Sequence, residues 1–108
     1  MRSDYSVKRI LSGEQRWPER AEDRDILYFL AQSFRATLIK ELPENRGKMS
    51  AGTKKLAMRA KELIAELAAI SPEVAQMAVT PEDGKSLPGW FVVEAVRDVP
   101  ALAKRRGA

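Results

Sequence analysis

The 108-residue chain contains no cysteine and no histidine. Without cysteine there is no disulfide framework, no thiol nucleophile and no Cys-based zinc or iron–sulfur site. Without histidine the commonest general base, proton shuttle and metal ligand is missing. These absences argue against most hydrolytic, redox and zinc chemistry, so no enzyme, cofactor or bound metal is expected. Long apolar runs are also missing. Stretches such as Leu67–Ile70 and Trp90–Val93 are far short of the roughly 20 residues that span a bilayer. Residues 1–15 (MRSDYSVKRILSGEQ) lack the apolar segment of a secretory signal. A soluble, cytoplasmic protein without membrane contact is the expectation.

What is present is one core's worth of hydrophobic residues, 44% of the chain, in a length that suits a single domain over 1–108. Residues 1–4 and 104–108 are expected to fray. The spacing predicts an all-α fold: a small helical bundle built on a long antiparallel helical hairpin, with short N- and C-terminal helices. Val7, Ile10 and Leu11 share one face of a short helix over 4–12, which Gly13 stops. Pro18 opens the first long helix, 18–42, as a first-turn proline followed by Glu19, Glu22, Asp23 and Asp25. Leu27, Leu30, Phe34, Leu38 and Leu42 recur at steps of three and four, with Ile26, Phe29 and Ile39 widening the stripe.

A turn over 43–47 leads to the second long helix, about 50–70, with a seam of Leu56, Ala60, Leu63, Leu67 and Ile70. Ser71-Pro72-Glu73 then reads as a cap, a first-turn proline and a dipole-matched acid, opening a short helix to about Val79. Residues 80–89, with two Pro and two Gly, read as a loop. Trp90–Val96 is β-branched and continuous enough for a buried strand. No other segment offers it a partner, so it reads as helix. As a strand it would have to pair with its twin in a dimer. Asp98 or Val99 is expected to restart a last short helix before Pro100.

Charge is sorted along the chain. Residues 46–61 carry Arg46, Lys48, Lys54, Lys55, Arg59 and Lys61 and no acid, whereas 62–83 carry five acids and no base. Lys and Arg at a helix N-terminus oppose its dipole, so propensity does not explain them. In a hairpin, Arg35 and Lys40 join this group, and residues 35–61 sum to +6 out of a chain net of +4. The far end would gather Glu22, Asp23 and Asp25 beside Glu62 and Glu66, giving a bipolar molecule. A solvated charged face is the plain alternative.

Other candidates are weaker. Gly84-Lys85-Ser86 resembles the end of a phosphate-binding loop, but Val79 stands where that pattern needs glycine, and no strand leads in. Glu62 and Glu66 could share a cation with Asp23 or Asp25, although such sites normally include His. Trp17 and Trp90 are expected to seal the ends of the core, Trp90 being also a possible interface anchor. Lys104, Arg105 and Arg106 form a dipole-matched end that could add phosphate contacts.

The composite expectation is a non-catalytic binding protein: a small regulator, inhibitor or assembly factor, and a homo-oligomer. Its basic pole (Arg46, Lys48, Lys54, Lys55, Arg59 and Lys61) would bind an acidic protein surface or the chain's own copies. Arg35, Lys40, Trp90, Lys104, Arg105 and Arg106 would be secondary contacts. The alternative is a nucleic-acid accessory protein that grips DNA or RNA phosphates through the same residues. The basic stretch holds no aromatic side chain for base stacking, which leaves backbone contact alone.

Overall fold

A computed structural model of the chain describes residues 4–81 and 84–107, without the side chains of 105–107. Five α-helices form the bundle: α1 (Val7–Ser12), α2 (Arg24–Glu41), α3 (Ala51–Ile70), α4 (Pro72–Ala78) and α5 (Gly89–Gly107), with 3-10 turns at Ala21–Asp23 and Arg46–Lys48. The small all-α bundle is therefore the fold. The expected fraying of 1–3 and of 108 lies outside the described residues, and α5 continues helical through Lys104 to Gly107.

Local chemistry sets most helix ends. The Ser6 hydroxyl accepts from the Arg9 N–H at the start of α1, and Gly13, at φ 89°, closes it in the left-handed conformation. Ser50 caps α3 by accepting from the Thr53 N–H, and Ser71 caps α4 by accepting from Val74, with Pro72 in the first turn.

Two expected boundaries move. The first long helix begins at Arg24 rather than Pro18. Trp17 and Pro18 are buried in non-helical chain, where the indole Nε1 donates to the Leu63 carbonyl at 3.0 Å and the ring meets Phe34 edge-on at 5.5 Å. Seating that indole against both long helices keeps the chain out of helix until after it. The second change concerns Pro100, which lies inside one continuous α5 instead of opening a new helix. Trp90–Val96 is the first part of that helix.

α3 is the hub. From Arg59 to Ala68 none of its residues is exposed, so its burial extends well beyond the expected seam to Ala57, Ile64, Ala65 and Lys61. Alanines let backbones approach, and the closest helix neighbours of α3 are α5 and α4, while α2 lies closest to α4. The two long helices share the core through side chains, Phe34, Leu38, Leu63 and Leu67 being fully buried. Phe29 does not join the α2 stripe; it is 70% exposed.

Pro100 has no N–H for the Val96 carbonyl, and its ring crowds that turn. Pro100→Ala is therefore expected to stabilise the protein by about 1–3 kcal/mol, part of the ~3 kcal/mol propensity difference because the site is close to the helix end. Urea unfolding followed by circular dichroism would register it as a higher midpoint.

Candidate functional site

The basic stretch folds into two different environments. Lys61 projects from the buried side of α3 with its side chain 11% exposed, and its Nζ reaches Glu94 Oε1 at 3.1 Å and Asp98 Oδ2 at 2.9 Å on α5. Arg46, in the 3-10 turn before α3, pairs with the other Glu94 oxygen and lies over the Trp90 ring at 5.8 Å. Trp90 is half-buried and donates from Nε1 to the Pro43 carbonyl at 2.9 Å. It thus clasps the α2–α3 connection to α5. Arg97 completes the cluster on Asp98, at 2.7 Å and 3.2 Å.

These contacts explain the carboxylate acidities. Burial pushes Glu94 up, but hydrogen bonds and charge from Arg46 and Lys61 outweigh it and hold the group below its usual value. Arg97 first, then Lys61, hold Asp98 well below the ordinary carboxylate range.

Two more expected phosphate or partner contacts are engaged internally. Arg35 is buried and donates to the carbonyls of Met77 at 2.8 Å and Thr80 at 3.1 Å, capping the end of α4. Arg59 reaches the Ile10 and Leu11 carbonyls, both at 3.4 Å, and the Glu62 carboxylate at 3.3 Å. It ties α1 to α3. Arg35 and Lys61 are thereby corrected from surface cations to interior ones, and Arg46 and Arg59 become cations with structural partners.

The remaining cations differ. Lys40, Lys48, Lys54 and Lys55 are exposed and make no ion pair among the described residues. Three of them surround the start of α3. Lys104 is exposed on α5, and the side chains of Arg105 and Arg106 lie outside the described residues.

The acids of the expected negative end line more than one hollow. Asp25 borders one hollow with Glu73, Arg24 and Tyr28, whereas Glu62 borders another with Asp98 and Leu102. Among the described residues no group of three or more acids is placed to hold a metal ion. Gly84, at φ 75°, turns the loop before exposed Lys85 and Ser86, while Glu82 and Asp83 lie outside the described residues. Among those described, no helix is long and apolar enough to cross a membrane. Compared with known proteins, the chain matches no family model, no curated protein and no solved structure.

The sequence signal that could have separated the two classes of cation is the spacing Ala57, Lys61, Ile64, Ala65, Ala68. It is a second apolar face of α3 with one lysine in it. A lysine at such a position needs carboxylates opposite, and Glu94 and Asp98 are a matched i,i+4 pair.

Lys61→Met leaves each carboxylate one arginine, so the loss should fall below the 3–5 kcal/mol typical of a broken buried pair, at about 2 kcal/mol in urea unfolding. The pH response follows from the lowered folded acidities. Stabilisation by Glu94 and Asp98 is complete above their unfolded values near 4 and fades as pH drops through them toward the folded values. Unfolding free energy should decline below about pH 5, and less steeply in Lys61→Met.

Proposed function

We propose that the protein is a non-catalytic binding protein, a small regulator, inhibitor or assembly factor. It presents Lys48, Lys54 and Lys55 to an acidic surface on a protein partner. The observation that carries this reading is the division of the basic stretch: Lys61 is buried on carboxylates, Arg46 and Arg59 are ion-paired, and these three stand exposed with no ion pair among the described residues. Exposed charges of this kind speed encounter and select against wrong partners more than they hold a complex together.

Charge also weighs against nucleic acid as the partner. With Lys40 included, four exposed lysines would neutralise about four phosphates, giving a salt slope no steeper than about −3.6. Glu41 and Glu44 stand exposed in the same region and would repel a phosphate backbone.

The test is capture from nuclease-treated native lysate by wild type and by Lys48→Glu/Lys54→Glu/Lys55→Glu. A protein partner should be retained after nuclease and its affinity reduced at least about tenfold by the triple variant. Retention unchanged in the variant would overturn the proposal. Loss of all binding on nuclease treatment, with a gel shift of slope about −3 to −4, would transfer the role to nucleic acid.

A further inference from the structure

We infer that the chain associates head-to-tail with its own copies, the outward face of α2 in one copy docking on the α5 groove of the next. This surface is separate from the exposed lysines of the proposed function.

The groove is apolar, about 290 Å³ in volume, and open to solvent between α4 and α5. Ile64, Ala68, Ala75, Val92, Val96 and Val99 line it. Its size is near the lower edge of ligand pockets and leaves room for an aromatic side chain. Val93 and Val96 beside it are 65% and 69% exposed. The exposed positions of α5 among the described side chains are 89, 93, 96, 97, 100, 101 and 104, which is one helix face. Among the described side chains that face is apolar with two cations, Lys104 and the Arg97 that pairs with Asp98 at its border. Both acids of α5 reach Lys61, and Asp98, at the border of the face, also accepts from Arg97.

The occupant is chosen by charge and by what the same chain leaves uncovered. Two copies meeting symmetrically through α5 would bring together two faces on which Lys104 is the cation without an ion pair among the described residues, a like-charge contact. The start of α2 has the complementary character. Phe29 and Tyr28 are exposed, and Asp25 stands one turn before Phe29 on the same side. Glu73 lines the hollow that Asp25 and Tyr28 share with Arg24, so two carboxylates stand there against one cation. Seating Phe29 in the groove would bury the most exposed aromatic of the fold together with the two exposed valines, and bring Asp25 and Glu73 toward Arg97 and Lys104. Because the two faces differ, the contact is heterologous and continues as open chains or closes into rings.

Sedimentation velocity over rising concentration tests this with two variants, Phe29→Asp and Val96→Asp. Both residues are exposed, so each variant should keep the circular dichroism and thermal midpoint of wild type. Wild type should grow beyond a dimer, with a dissociation constant of about 10–100 µM for a contact of this small size. Each variant alone should be monomeric. Mixed together they should form a heterodimer and nothing larger, because each retains the face that the other has lost. Lys54→Glu/Lys55→Glu should assemble like wild type, which separates this contact from the proposed partner surface. A wild type that is monomeric at about 1 mM, growth that stops at a symmetric dimer, or variants that fail to pair on mixing would overturn the inference.

Discussion

An ammonium group that is almost out of water dictates how the last helix sits. Lys61 lies among the packed residues of α3, and a buried cation without partners costs several kcal/mol. Only a helix that brings two carboxylates to the same point resolves this, and Glu94 and Asp98, one turn apart on α5, do so. The apolar contacts of α5 would tolerate small rotations and slides. The ion cluster does not, because turning α5 by a residue would take both acids away from Nζ. Stabilisation from such a cluster is modest; its larger effect is to select one docking geometry.

That geometry has consequences at both ends of α5. At its start, Trp90 and Glu94 hold Pro43 and Arg46, so the segment between the two long helices is fastened to a third helix rather than left as a free turn. Farther along, the acids face inward and the valines, Arg97 and Lys104 face outward. One set of contacts therefore buries Lys61, pairs Arg46 at the surface and leaves the apolar face of α5 outward. The lysines that remain available, Lys48, Lys54 and Lys55, precede the part of α3 that is enclosed on all sides. Lys54 and Lys55 stay in solvent because Leu56 and Ala57 take the core side of the helix there.

Several features were legible because they depend on short-range chemistry. Ser71 caps α4 ahead of Pro72 and Glu73, and Gly13 ends α1. The apolar steps of α2 and α3 mark faces that are indeed buried at Leu27, Phe34, Leu38, Leu63 and Leu67. Reading Trp90–Val96 as helix for want of a strand partner also agrees with the structure. The errors share one cause. Pro18 has the chemistry of a first-turn residue, but burial of Trp17 against Leu63 and Phe34 overrides it. Pro100 has the chemistry of a break, yet packing carries α5 through it. Phe29, Lys61 and Arg35 were placed by residue type, and each lies on the side that its type disfavours.

By itself, then, the order of residues determined where helices form, which of their faces are greasy, and which reactive side chains are missing altogether. Those properties come from backbone hydrogen bonding, capping and composition, all settled within a few residues. Only the assembled globule decided which cations remain available. That outcome depends on whether a carbonyl or carboxylate from tens of residues away arrives beside each one, as Met77 does for Arg35 and Glu94 for Lys61. Electrostatic partners of this kind are chosen by three-dimensional proximity, which a count of charges along a chain does not contain.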